Sequence, residues 1–258
     1  MAVPNPHRSA ASETKSATSR VHPVNTGNLI LDALPEQEFL SLKRHLLLVP
    51  LRAGQILHEA YLPVSFAYFP TGGLVSLRVM SRGGSSTEVA MVGDEGFVGI
   101  PLLLETEASA FIASVQMSGS AYRIAAPALK PVLNNCPPLQ LYLRRWLQAH
   151  ITEMALSAAC SSVHNIRQRL SCWLLLSSAR IHRDRLRITQ DMLAQILACR
   201  RSSVTTAARY LHAAHVIDYK RGSLTILDRP KLERLACERY RTIQLAFHKI
   251  LPKMPIFP

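Results

Sequence analysis

"ITQDMLAQILACRRSSVTTAARYLHAAHVI", residues 188–217, holds two stretches with apolar residues at helical spacing. Between them stand two arginines and a row of small hydroxyl side chains. Thr189 can cap a first helix, and Asp191 in its first turn complements the helix dipole. Met192, Leu193, Ile196 and Leu197 then face inward. "ACR" makes a short turn. The spacing predicts a second helix from about Arg201 to His212, with Val204, Ala207, Ala208 and Leu211 on its buried stripe. The opposite face carries Ser202, Thr206, Arg209 and Tyr210, with Ser203 and Thr205 at its margins. Ala207 and Ala208 are small, as needed where two helices cross closely. This is helix-turn-helix design: the first helix supports the second, whose N-terminal turn meets base edges in the major groove.

The chemistry fits that geometry. An arginine fork can take guanine O6 and N7 together, and short hydroxyls allow close approach to bases and phosphates. The N–H groups of a helix N-terminus add a phosphate site. "VIDYKRGSLTILD", residues 216–228, follows as two apolar strands around "KRGS". Lys220 and Arg221 therefore sit at a hairpin tip, a wing suited to backbone contact. The candidate DNA-binding residues are Arg200, Arg201, Ser202, Ser203, Thr205, Thr206, Arg209, Lys220 and Arg221. An ordinary helical hairpin with a solvated polar face is the plain alternative.

Charge distribution weighs against that alternative. The 258 residues carry a net charge of +13, and from Ser161 onward there are 18 Lys/Arg against 6 Asp/Glu. The first 160 residues hold 12 against 11. A near-neutral first part joined to a strongly basic second part points to a polyanion partner for the second part alone.

Upstream, residues 1–27 lack periodicity and read as a disordered tail, with no apolar core of a signal peptide. "LPEQEFLSLKRHLLLV" (34–49) is helical, with Pro35 in its first turn and Phe39, Leu42 and Leu46 on one face. From residue 49 to about 124, "SFAYFP", "GLVSLRVM", "TEVAMVG", "AFIASVQM" and "SAYRI" read as several short strands. "TGG" (71–73) and "SRGGSS" (81–86) are turn chemistry. After Pro137 and Pro138 a helix from Leu139 to Val163 would span about 37 Å. Its apolar positions include Leu143, Trp146, Leu147, Met154, Ala155 and Ala158. That face needs cover, from its own domain or from a second copy, and the Trp146/Met154 stripe reads as a dimer seam. "HNIRQRLSCWLLLSSARI" (164–181) is a further helix, broken from the first near residues 161–164.

The five cysteines contain no CxxC pair and fit buried thiols in a reduced, cytoplasmic protein, with no metal site. His212 and His215 lie three apart without a supporting ligand cluster. No run is long enough to span a membrane. No nucleophile–base constellation or phosphate loop is present, so an enzyme is not expected and no catalytic residue or cofactor is assigned.

Taken whole, residues 30–230 resemble the Crp/Fnr transcription regulators in element order and in the 188–217 motif. The resemblance implies an α+β fold: an N-terminal β-roll of jelly-roll, cyclic-nucleotide-binding-like type (28–137), a dimerisation helix (138–163) and a C-terminal winged helix-turn-helix domain (164–246), with residues 247–258 as a tail. It implies a homodimer on a palindromic operator in double-stranded DNA, with RNA polymerase as a further partner and no membrane association. Arg201 matches the family's guanine-reading arginine. Ser202 stands where a base-reading glutamate is common, and Thr206 where a second base-reading arginine is common, so the operator sequence does not carry over. The ligand site departs too. Gly96 is followed by Phe97 rather than Glu, and no Lys or Arg lies between Arg82 and Arg123. Asp94, Glu95, Glu105 and Glu107 would repel a phosphate. No cysteine precedes Cys136 to hold an iron–sulfur cluster or haem. A typical cyclic nucleotide is therefore not the expected effector, which stays unassigned. The competing reading is a small-molecule sensor whose basic part binds nucleic acid only loosely.

Overall fold

The computed structural model describes residues 25–80, 84 and 86–250. The tail expected at 1–27 lies outside the described residues up to 24. So do residues 81–83 (Arg82 among them) and 85 of the "SRGGSS" turn, and residues 251–258. Residues 25–27 are tied down: Thr26 donates from its N and Oγ1 to Asp32 Oδ1, at 2.6 and 2.7 Å. Asn28 caps the short helix α1 (Leu29–Asp32), and its Nδ2 donates to the carbonyls of Pro70 and Gly96. Helix α2 (Glu36–Lys43) buries Phe39 and Leu42, with Pro35 one position earlier than expected, at the N-cap.

Five strands form one antiparallel sheet: β1 (Leu47–Leu51), β2 (Ile56–His58), β3 (Phe66–Met80), β4 (Ser86–Val92) and β5 (Phe111–Ala125). The order is β1-β5-β3-β4, with β2 also on β5. The expectation of many short strands needs correcting, because "SFAYFP" and "GLVSLRVM" are one 15-residue strand, as are "AFIASVQM" and "SAYRI". "TGG" is not a turn between strands. It is where β3 shifts register against β5, between Pro70 and Val75. Gly73 has φ +82°, and a Cβ on Gly119 would stand 2.1 Å from Gly72 O. Only glycines let the two strands pass this closely through the irregularity.

Helix α3 (Ile100–Leu103) bridges β4 and β5, and α4 (Ala126–Asn135) leads to the 27-residue α5 (Pro137–Val163), about 40 Å long. Its Leu139, Leu143, Trp146 and Ala149 are buried within the same chain. Trp146 meets Phe97 edge-on at 6.2 Å and stacks on His150 at 4.6 Å. The seam expected to contain both Trp146 and Met154 is thereby corrected. Eight residues place them roughly 80° apart on the helix, and Trp146 faces the chain's own core.

Helix α6 (Ile166–Ile181) starts at a capping box on Asn165 and Gln168. Then come β6 (Arg185–Arg187), α7 (Gln190–Ile196), α8 (Arg201–Ala213), β7 (Ile217–Lys220), β8 (Ser223–Ile226), α9 (Arg229–Leu235) and α10 (Arg239–Ile250). Strands β6-β8-β7 form a small antiparallel sheet. Residues 247–250, assigned above to a tail, are the last turn of α10, and Phe247 is buried because α10 lies against α5 and α6. One apolar cluster runs from the sheet through α5 and α6 into α8 and α10. No described helix is long and apolar enough to cross a membrane.

Candidate nucleic-acid interface

Thr189 caps α7 by accepting from Met192 N at 3.2 Å. The chain then turns through Ala198, which takes φ +46°, and Cys199. Leu193 and Leu197 are buried on one side of the turn, and Val204, Ala207, Ala208 and Leu211 on the other. Arg200 occupies the N-cap of α8 without a side-chain cap, which leaves that helix end open to an anion.

Arg200, Arg201, Ser202, Thr206 and Arg209 are exposed on α8 and its cap. Ser203 and Thr205 are half-buried toward α7, where Thr205 Oγ1 donates to Gln190 Oε1 at 2.7 Å. The Thr206 hydroxyl donates back to Ser202 O, which leaves its methyl and its hydroxyl lone pairs for an outside partner. Arg201 forms an exposed ion pair with Asp191, Nε to Oδ1 3.3 Å. Tyr210 is exposed as expected, with the Arg167 guanidinium 4.2 Å from its ring centroid.

At the wing, Lys220 pairs across the hairpin with Ser223, and the two loop residues, Arg221 and Gly222, take φ +49° and +76°. Two positive φ values are what a tight two-residue hairpin needs. The tip abuts the start of the helical pair, since Gly222 O accepts from Ile188 N at 2.9 Å. Lys220 also pairs with Asp218 at 3.1 Å. Sequence reasoning missed β6, which adds exposed Arg185 and Arg187 beside the wing. The signal was the alternation in "RLR", with Leu186 buried between two outward arginines. His212, weighed above as a ligand, pairs with Asp218 at 3.5 Å.

Residues 168–235 match the Crp-like helix-turn-helix domain family. No curated protein sequence matches the chain. Among solved structures, the chain is similar to a Crp/Fnr-family putative transcriptional regulator from Eubacterium rectale: TM-score 0.62, 17% identity, covering 78% of this chain and 94% of that one. It is similar to FixK2 from Bradyrhizobium japonicum, with TM-score 0.64, 12% identity and coverage of 74% and 98%. A Crp/Fnr-family transcriptional regulator from Thermus thermophilus gives 0.58, 21%, 75% and 100%. Residues 168–235 thus form a Crp-like helix-turn-helix domain, and the chain as a whole shares the fold of these regulators.

Around Gly96 and Phe97, where the resemblance puts the ligand, the sheet domain is tightly packed. Phe97 is buried against Phe69 and Trp146. A Cβ on Gly96 would come within 2.7 Å of the Trp146 indole nitrogen. His58, Leu77, Phe97, Gly99, Ser109 and Phe111 leave a cavity of about 10 Å³, room for one water at most. A larger cavity of about 310 Å³ lies between the sheet and α7, lined by Ser76, Arg78, Glu88, Gln116, Met192 and Gln195.

Asp94 and Glu95, expected to repel a phosphate if one were nearby, are engaged by α6 and its C-cap. Arg180 donates from Nε to Glu95 Oε1 and from Nη2 to Glu153 Oε2, each at 2.7 Å and fully buried. The missing cation thus arrives from α6, beyond the stretch in which it was sought. Gly93 makes the approach possible, since a Cβ there would lie 2.6 Å from Arg180 Cβ. His182 Nε2 meets Asp94 Oδ2 at 2.6 Å, and this hydrogen bond raises the imidazole's pKa. Trp173 Nε1 donates to Glu88 Oε1 at 2.8 Å, and Ser76 Oγ to Glu88 Oε2 at 2.6 Å.

Burial pushes Glu88 up to about 7 despite these two hydrogen bonds. The folded protein therefore holds the Glu88 proton more tightly than the unfolded chain. That contribution to stability is complete below the ordinary Glu range and disappears as pH rises through about 7. Glu88→Gln, which keeps an acceptor for Trp173 without the charge, should match wild type below the ordinary Glu range, at about pH 3.5, and be more stable at pH 8. Urea midpoints at the two pH values check this, and an unchanged wild-type–variant difference would contradict it.

Proposed function

We propose that this chain is a sequence-specific transcription regulator that works as a homodimer on a palindromic operator. The observation that carries the reading is the open face of α8. Arg200, Arg201, Ser202, Thr206 and Arg209 are exposed together beyond an uncapped helix N-terminus. Ser203 and Thr205 line its edge, while Lys220 and Arg221 on the wing supply phosphate contacts. Its partners are double-stranded DNA, a second copy and, at a promoter, RNA polymerase, which places it in the cytoplasm. In vitro selection of bound DNA followed by footprinting tests this. A palindrome with half-sites roughly 34 Å apart is the expected result. Gel shifts at physiological salt that fail to separate selected from random DNA would favour the loosely binding sensor instead.

The second copy docks along α5. Leu147, Ile151, Met154 and Ala158 follow each other at steps of four, three and four, the spacing of a two-stranded seam. Ile151 is 48% exposed, Ala158 is exposed, and Leu147 and Met154 are half-buried. Met154→Glu should give a monomer by light scattering at micromolar concentration and lose DNA affinity through lost bivalency. A monomeric unmodified protein would sink the dimer reading.

The effector is not a typical cyclic nucleotide, because Phe97 and Trp146 occupy the space it would need and Arg180 is committed to Glu95 and Glu153. Calorimetry with cyclic AMP and cyclic GMP should register no binding at millimolar concentration. Tight binding of either would overturn this.

A further inference from the structure

Three helical segments bring thiols together where the long helix gives way to the DNA-binding unit. The last turn of α5 supplies Cys160 and, at its C-cap, His164. Helix α6 supplies Cys172, and the α9–α10 junction supplies Cys237. Cys160, Cys172 and Cys237 are all buried. The Cys160 and Cys237 sulfurs are 3.7 Å apart, and one ligand atom from each of Cys160, His164 and Cys237 lies within 4.8 Å of the others.

Two features of this cluster fit a cation: the sulfur separation is compatible with one, and the histidine is set up to ligate. A tetrahedral ion with metal–sulfur bonds of about 2.3 Å holds its sulfurs roughly 3.8 Å apart, close to the separation here. A disulfide would need them at about 2.05 Å. The histidine is also set as a ligand. Its Nε2 faces Glu238 Oε2 at 3.2 Å, while its Nδ1 is buried with no hydrogen-bond partner among the described residues. A carboxylate on one ring nitrogen, fixing the tautomer and leaving the other for the metal, is the usual outer shell of a ligating histidine. Cys172 is buried on α6 beside this group but is not one of the three residues whose ligand atoms lie within 4.8 Å of one another. Arg239 is near enough to act on Cys160 and Cys172, and so offsets the charge that ligating thiolates would gather.

We propose that Cys160, His164 and Cys237 bind one borderline-soft divalent cation of the Zn²⁺ class, which draws the buried Cys172 thiol in as its fourth ligand. Each thiol that ligates releases its proton to solvent. The donor set is closed and buried, which suits a structural ion. Its ligands come from α5, α6 and the α9–α10 junction, so the ion staples the DNA-binding unit to the long helix where the two meet.

The test uses the full-length chain, reduced and stripped with a chelator, then titrated with Co²⁺ and afterwards with Zn²⁺. One equivalent of Co²⁺ should give tetrahedral visible bands and thiolate charge-transfer absorption, both abolished by one equivalent of Zn²⁺. Cys237→Ser and His164→Ala should each weaken Zn²⁺ binding at least about 100-fold, and Glu238→Gln roughly tenfold. Cys136→Ser, outside the cluster, should leave binding unchanged. The wild-type cobalt spectrum keeps the proposal testable if a variant fails to fold. Absence of charge-transfer bands, or bands that persist in Cys237→Ser, would overturn it. So would a Cys160–Cys237 disulfide that forms under mild oxidation at the same rate with and without Zn²⁺. Each of these results leaves the DNA-binding reading standing, since α8 and the wing contribute no ligand.

Discussion

Arg201→Ala is expected to weaken operator binding by about 1–3 kcal/mol per half-site and to relax preference at one base pair in each half. On a dimer the two losses combine, which makes this the largest effect foreseen on DNA affinity. In the free protein the Arg201 guanidinium pairs with Asp191 at 3.3 Å, with both side chains mostly exposed. Such a pair is worth roughly 0–1 kcal/mol, less than a bidentate guanine contact, so the groove wins the arginine. Lys220 supplies the contrast. Lys220→Ala should weaken all sequences about equally and lower the salt slope by about one unit. Fluorescence anisotropy on selected and random duplexes, at several salt concentrations, reads both quantities. If Arg201→Ala weakens selected and random DNA by one factor, Arg201 is a phosphate contact and base reading passes to Arg200 or Arg209.

Arg180→Met should cost about 3–5 kcal/mol of folding stability, because it strands two buried carboxylates. Glu95 and Glu153 each lie 2.7 Å from the guanidinium and have no exposed side-chain surface. Against a total stability of about 5–15 kcal/mol, that loss is a large fraction. Replacing Glu95 and Glu153 by Gln in the same chain should recover much of it, since what destabilises is the uncompensated charge rather than the lost volume. Urea unfolding measures both steps. A cost below about 1 kcal/mol for Arg180→Met would mean that water reaches the triad in solution.

The two expectations of largest effect differ in how far they could be read in advance. Arg201 was legible because everything defining its place is local: the cap at Thr189, the turn at 198–199 and a 3.6-residue apolar period. The wing was legible for the same reason, "KRGS" being turn chemistry between apolar runs. Asp94 and Glu95 were legible only as acids. Their partners, His182 and Arg180, lie 88 and 85 residues away in the chain. Trp146 looked like half of a seam because periodicity marks an apolar position without saying what will cover it. The glycines at 72–73 looked like a turn, since a bulge and a turn draw on the same conformational freedom.

By itself the sequence determined the α+β class, the order of sheet, long helix and winged helix-turn-helix, and the face of α8 that stays open. Those properties follow from hydrophobic period, caps and turn residues, which act over one to four positions. Tertiary structure alone decided that Phe97 packs on Trp146 and that Arg180 locks the sheet domain to α6. It alone brought together sulfurs 77 residues apart. Burial changes the cost of a charge and the space around a thiol only once distant segments meet, and no local pattern records where they will meet.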